Sequence, residues 1–571
     1  MKKNVLKVFV SALMVMAAVV NTGCSNETSL ASDVQQEQAA TEGTALSFNF
    51  DFAGYGKEQS VATRGVAGEA KGRVIASSVS SLGDGLEAYT EVVEDAKPQT
   101  RATYKPAPKQ NYTILAYNKA DRQKKGEWVG SYDGSKFTPK AGFSSVQVLQ
   151  PGEYEFFVFS EQLTYKDGKI IIDINKGSAN ALFNNLDVKI LPQKKQQVNF
   201  QLESPYARVR MKINGFSSQA FEGSINGALK YDKGGVNGTC TIDPSGPSGP
   251  KANYASVTKA GQLKYKHFTN NVKGPKQNGV IKTSYIITPE DAGVYFLPQT
   301  HLNKLSFQFA SEASGTIYKK PVANKVLPLN LSDVELKNGK SYTISQTIYY
   351  SADYLFDDGT VGTLVPNMKQ RKPVALVVDK TRKICMSLTE IRDKQWATSP
   401  DVKCTTHEDQ GFDGLKNTIA KYDGYAQTWD TKTTTGLSGR PRTKFKADKD
   451  QCPAFKAVAG LGQVGSKKWY VPGAGEWDSA LKYLGVTDPT KDFGYGSAAD
   501  QPWAGSLGYR LQEILFYQAN GVPLTEWYWA ANDWRTDEQK KGVTVIAGSK
   551  GAHFGGAVKT DHTKVRPFIN Y

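Results

Sequence analysis

At 571 residues the chain has room for three or four domains, and its 39% hydrophobic, 11% aromatic and 22% charged residues exclude an intrinsically disordered protein. The formal net charge of +16 is spread along the sequence with no long basic block, which argues against a nucleic-acid partner, because a phosphate footprint clusters on one face. Five cysteines without a CxxC pair and five scattered histidines argue against a structural zinc site, and no metal or other cofactor is expected.

Met1-Lys2-Lys3 is a positive start, Val8 through Val20 is an uncharged and mostly apolar run, and Gly23-Cys24 stands where a leader is cut. The run is shorter than the roughly 20 residues a bilayer span needs. A cysteine directly after a small residue at this point resembles a bacterial lipoprotein signal. The resemblance implies lipidation of Cys24 and attachment to the outer membrane; plain secretion with a free thiol is the alternative. Buried acyl carbons contribute ~0.8 kcal/mol per CH₂, so several chains on one cysteine hold firmly. Residues 25–45 are polar and read as a tether.

Leu46-Ser47-Phe48-Asn49-Phe50-Asp51-Phe52 alternates apolar and polar residues with period two, which predicts a strand with one buried face. A polar, Gly/Ser-rich stretch with Thr63-Arg64 follows, and a second Thr-Arg dipeptide ends at Arg101. Tyr112 through Asn118 reads as a central strand. More strand-like runs at Val146–Leu149, Tyr154–Phe159 and Lys169–Ile174, with turns such as Asp167-Gly168, predict a β-sandwich over 46–195. A second sandwich is predicted over 196–350. It opens at Val198–Leu202 and continues through Ala207–Ile213, where basic and apolar residues alternate.

A lipoprotein leader, an isolated first strand, a Thr-Arg dipeptide in a loop, an Ala-Tyr-Asn strand at 116–118 and a second sandwich opening on Ala207-Arg208-Val209-Arg210-Met211-Lys212-Ile213 together resemble the fimbrillin-type pilins of Bacteroidales. The resemblance covers roughly residues 1–350. It implies two transthyretin-like sandwiches, cleavage by an Arg-specific protease at the cell surface, and loss of the first strand. The emptied groove then receives a strand from another pilin subunit. Carried onto this chain, Leu46, Phe48, Phe50 and Phe52 belong to the removable strand, and the cut follows Arg64, with Arg101 as second choice. A strand that stays in place permanently is the alternative.

Eight of the nine tryptophans lie after residue 395, so residues 351–571 form a domain of a different make. Tyr354–Thr360 opens it, Pro373–Val378 reads as a buried strand, and residues 411–425 have helical spacing. Trp469–Trp477 runs into a helix over Asp478–Leu484. Trp527–Trp534 follows, and Lys564–Tyr571 is a terminal strand. The Trp469-Tyr470-Val471-Pro472…Glu476-Trp477 run and the Val565-Arg566-Pro567 close resemble bacterial extracytoplasmic domains with a C-type-lectin-like core. That resemblance implies an α+β fold for 351–571 and leaves the ligand open.

Trp469 and Trp477 are expected in the core. Trp503 and Trp534 stand in polar surroundings and, with Asn532 and Asp533, are the ligand-binding candidates. Sugar-binding C-type lectins hold calcium with an Asn-Asp pair, but no carboxylate-rich loop completes the six to eight oxygens calcium takes, so no metal is assigned. Cys404 and Cys452 are candidates for a disulfide. Cys404 and His407 do not make a convincing nucleophile pair from sequence proximity alone, and no enzymatic activity is expected. The expected whole is a mainly β pilus subunit of tip or accessory type, binding other pilins by β-strand addition. Its outer domain presents an adhesive surface to a glycan or protein receptor. A surface lipoprotein that never polymerises, and the anchor subunit at the pilus base, are the alternatives.

Overall fold

The computed structural model describes residues 43–52, 54–55, 72–95, 105–143, 147–217, 220–272, 276–277, 280–281, 285–404, 419–430, 434–435, 444–491, 500–534 and 540–571. Strands dominate, and among the described residues none of the sheets closes on itself. Cys24, Arg64, Arg101 and His407 lie outside the described residues.

The first unit packs two sheets face to face. One is five-stranded, in the order Phe183–Ile190, Gly152–Ser160, Gln110–Asn118, Lys124–Tyr132, Phe137–Pro139. The other joins Lys195–Leu202 to the opening strand Thr44–Phe52, which also meets Lys105–Pro106 and Val148–Leu149. Their inner faces share one core of Leu46, Phe48, Phe50, Tyr112, Trp128, Phe156 and Phe200. Alternation within each strand causes this: every second side chain of a strand points to the same face.

The second unit is built on the sheet Arg73–Gly83, Leu86–Glu94, Ser341–Tyr350, Ala207–Gly215, Tyr285–Pro289, Phe268–Val272, with Gly227–Tyr231 and Leu305–Phe309 in a second layer. Two boundaries differ from the sequence expectation. The hairpin Arg73–Glu94 leaves the first unit: Leu86–Glu94 pairs along its whole length with Ser341–Tyr350, and Ala76, Leu86, Ala88 and Val92 enter the second core. Lys195–Leu202 belongs to the first unit instead of opening the second, because Val198, Phe200 and Leu202 pack with Phe48 and Phe50. An intervening sheet couples the two units, through Lys169–Asp173 of one and Asn237–Ile242 of the other.

The third unit carries two five-stranded sheets. One holds Pro373–Asp379 at its centre and ends on Phe568–Asn570. The other orders Ile391–Gln395, His562–Val565, Glu526–Asp533, Lys541–Ala547 and Ala552–Val558. The helix predicted over Asp478–Leu484 is present as Ala474–Tyr483. Most of the helix predicted over 411–425 lies outside the described residues, while Gly424–Trp429 is helical. The helix Arg510–Tyr517 and the turn after it tie this unit to the second. Gln518 donates from Nε2 to the Tyr350 carbonyl and accepts at Oε1 from the Tyr350 N–H, and the Ser351 N–H donates to the Gly85 carbonyl at the hairpin turn.

Candidate functional site

The opening strand is held unevenly. On one side it makes a continuous parallel ladder with Lys195–Leu202, from Ala45 opposite Lys195 to Phe52 opposite Leu202. On the other side, among the described residues, it pairs with only two short segments, at Asp51 and Phe52 and at Thr44 and Ala45. The Ala107 N–H adds a bond to the Phe50 carbonyl at 2.9 Å. Among the described residues the opening strand is the only ladder partner of Lys195–Leu202. Its removal therefore leaves one strand edge of unpaired N–H and C=O groups.

The side chains follow the same logic. Leu46, Phe48 and Phe50 are buried, while Phe52 is half-buried at the end of the groove. The Phe48 ring lies 5.4 Å from Trp128 and 6.1 Å from Phe200. Phe50 lies 4.9 Å from Tyr112 and 4.8 Å from Tyr132. These rings fill the slot between the two sheets.

Sequence reasoning missed a second foothold. Tyr55 follows Gly54, whose φ of +69° turns the chain at the end of the strand. The Tyr55 hydroxyl donates to the Ser204 hydroxyl at 2.5 Å. The Arg208 guanidinium lies 4.6 Å from its ring centre, and Tyr295 packs at 5.9 Å. Burial raises the phenol's pKa well above its ordinary value, partly offset by the Ser204 bond. An aromatic between two glycines in a polar stretch is the signal that marks it in the sequence.

Beyond the foothold the chain is fixed again at the hairpin. Asp95 pairs with Arg210 at 2.7 Å and accepts from the Thr343 hydroxyl at 3.1 Å. Lys340 pairs with Glu94 at 2.7 Å. The hairpin thus separates the two candidate arginines, with Arg64 before it and Arg101 after it.

In the third unit most tryptophans serve the core. Trp477 is buried between Tyr528 at 5.6 Å and Phe568 at 5.2 Å. Trp396 and Trp529 donate their indole N–H groups to the carbonyls of Ala530 and Lys394. Trp469 is buried as well. Of the two tryptophans named as ligand-binding candidates, Trp503 is half-buried, donating to the Gly548 carbonyl at 2.8 Å and packing against Tyr509. Trp534 is only 6% exposed. Gly556 on a neighbouring strand makes room for it: a Cβ there would stand 2.5 Å from the indole.

Asn532 and Asp533 do not form an open ligand pair. Asn532 is fully buried and accepts the Ala474 N–H at 2.7 Å, which caps the start of the helix Ala474–Tyr483. Asp533 pairs with the buried Lys559. Beneath the cap lies a carboxyl pair. Glu476 is 2% exposed and accepts the Gly424 N–H at 3.1 Å. Burial first, and then the neighbouring Asp423 carboxylate, push its pKa up to about 8. The cluster is tight because glycines line it. A Cβ on Gly475 would stand 2.4 Å from the Lys421 carbonyl oxygen and 2.8 Å from that of Ile419. Gly475→Ala is expected to destabilise the third unit by about 1–3 kcal/mol, read as a lower unfolding temperature for this unit alone.

Cys452, one of the two disulfide candidates, is a core residue. It is fully buried beside Phe455 in an apolar core, and burial pushes its thiol up to about 12. The side chain of Cys404 lies outside the described residues, so the pairing expected between them is untested. Among the described residues no group of three or more His, Cys, Asp or Glu side chains is placed to hold a metal ion.

No protein-family model and no curated protein sequence matches the chain. Solved structures do. A fimbrial protein from Bacteroides ovatus is 10% identical, with 93% of this chain and 100% of that one covered and a TM-score of 0.24. A candidate cell adhesion protein from Bacteroides fragilis is 12% identical over 56% of this chain and 96% of its own, with a TM-score of 0.28. A candidate adhesin from Bacteroides thetaiotaomicron is 11% identical over 39% of this chain and 73% of its own, with a TM-score of 0.22.

Proposed function

We propose that this chain is a cell-surface pilus subunit of tip or accessory type, whose opening strand is a removable plug. What supports this reading is how the opening strand is held. One strand supplies the whole ladder for Lys195–Leu202 and the central rings of a core, yet among the described residues it is bordered on its other edge only near its ends. A donated strand of alternating apolar residues satisfies both the vacant edge and the vacant slot. The strand Phe568–Asn570 is paired with Ile384–Ser387, its Phe568 and Ile569 are buried, and it is therefore engaged within its own unit. The two front sandwiches are transthyretin-like on this reading, the third unit is lectin-like and adhesive, and Cys24 carries the lipid before maturation.

Arg64 is the better cleavage site. A cut there frees the plug and Tyr55 and leaves the hairpin in place. A cut after Arg101 alone leaves the plug joined to the hairpin, whose strand Leu86–Glu94 is interior to the second sheet. Treating the full chain with an Arg-specific protease is expected to release one early peptide ending at Arg64 and containing Phe48 and Phe50, as mass spectrometry would show. Arg64→Ala should block the release and Arg101→Ala should not. The long ladder and the Tyr55 foothold favour one second reading, a surface binding protein that never polymerises; a chain that keeps its first strand after cleavage would establish it.

A further inference from the structure

Trp527 breaks the pattern of its neighbours. It is the second residue of the strand Glu526–Asp533 and is 43% exposed. It opens onto a cleft of about 670 Å³ between the starts of three strands of the third unit, within the range of small-ligand sites.

The polar groups around Trp527 are fixed in place from below. Glu390, its side chain 2% exposed, holds Arg392 at 2.9 Å, Lys564 at 3.6 Å and Arg566 at 3.3 Å, and accepts the Tyr528 hydroxyl at 2.7 Å. Lys564 in turn pairs with Glu526 at 3.0 Å. A register shift between Ile391 and Lys394 bulges the edge strand and turns Arg392 and Asp393 outward. Asp393 has a φ of +57° and meets the His562 ring at 2.7 Å. Side chains held by such a buried anchor are oriented before any ligand arrives.

We propose that this cleft binds a neutral glycan, with a sugar ring stacked on Trp527 and its hydroxyls bonded by Arg392, Asp393, Glu526 and Lys564. The proposal rests on reading the third unit as the adhesive end. Three features select this ligand class. The indole offers a flat apolar face to the C–H side of a pyranose, and its neighbours carry both donors and acceptors, which matches hydroxyls that need both. Asp393, Glu526 and Asp561 offset Arg392 and Lys564, so the cleft has no strong positive field for an acidic polymer. Apart from Trp527 and Ala557 the lining is polar, whereas protein-binding hot spots sit in apolar surroundings depleted of charge.

The test uses the full chain, intact and after Arg-specific cleavage, on an array of neutral polysaccharides and oligosaccharides, including mannan, xylan, β-glucan and galactan. Parallel spots carry sialylated and sulfated glycans, collagen and fibronectin. We expect binding to at least one neutral glycan, reduced about tenfold or more by Trp527→Ala and largely kept by Trp527→Phe. Circular dichroism confirms that both variants fold, as an exposed side chain allows. Absence of binding to every neutral glycan, binding confined to acidic glycans or to the proteins, or full binding by Trp527→Ala would each overturn the proposal. Peptide release is scored separately by mass. Glycan binding without release removes the pilus reading and keeps the cleft, and release without binding does the reverse.

Discussion

Replacing Phe50 by alanine should destabilise the first unit by about 3–5 kcal/mol, the cost of emptying a fully buried aromatic site. The ring touches Tyr112, Tyr132, Phe137 and Phe200, which belong to both sheets, so no single sheet can close the void. Asn49 is the control. Its side chain is half-buried and accepts the Tyr132 hydroxyl at 3.1 Å, so Asn49→Ala should cost about 1 kcal/mol. Urea unfolding, with hydrogen exchange followed on Gln110–Ser160, separates the first unit from the others. The same ratio should hold for a synthetic peptide of residues 44–55 added back to cleaved protein: the alanine peptide at Phe50 should bind at least a hundredfold more weakly, by the same energy, and the one at Asn49 only several-fold. Equal losses for the two substitutions would show that the buried face does not drive insertion.

Glu476→Gln should change how stability depends on pH. In the unfolded chain this carboxyl titrates near its ordinary 4.5, and in the folded protein at about 8. Between those values the native state binds the proton and the unfolded state does not. Stability from this group is therefore complete below pH 4.5 and is lost as pH rises towards 8. The amide cannot ionise, keeps an acceptor for the Gly424 N–H and presents a donor towards Asp423. The variant should match the parent near pH 4.5 and exceed it at pH 8 by roughly 3–5 kcal/mol. Thermal unfolding of both proteins between pH 4.5 and 9 reads the difference directly. Parallel curves for the two proteins would mean that Glu476 is already ionised in the fold, with its charge compensated by its surroundings.

Much of this architecture is legible in the sequence where burial is one-sided. The run Leu46–Phe52 announces its buried face by alternation, and the structure buries Leu46, Phe48 and Phe50 on that face. What is not legible depends on distant partners. Nothing local in Arg73–Glu94 says that its partner lies at Ser341–Tyr350; the bond from Thr343 to Asp95 spans 248 residues. Trp534 has acidic and basic neighbours in sequence, and only Gly556 on another strand explains why it is buried. Trp527 stands next to equally aromatic residues, and its exposure follows from its place at the very start of a strand whose next five residues are covered on both faces. Glu476 was visible as part of a motif. Its chemistry comes from Asp423 and Gly424, which reach it from a separate helix start.

The path of the hairpin sets an order on biosynthesis. The chain lays down a strand of the first unit, two strands of the second, then the body of the first, and only later the remainder of the second. Leu86–Glu94 must wait for Ser341–Tyr350 to become available, and the opening strand must wait for Lys195–Leu202. Such long closures slow folding and leave apolar edges bare while they wait. On the proposed surface location, a chain of this design would depend on a holding chaperone until Ser341–Tyr350 has been exported and can pair, and a fragment cut at 196–350 would lack the two strands of Arg73–Glu94.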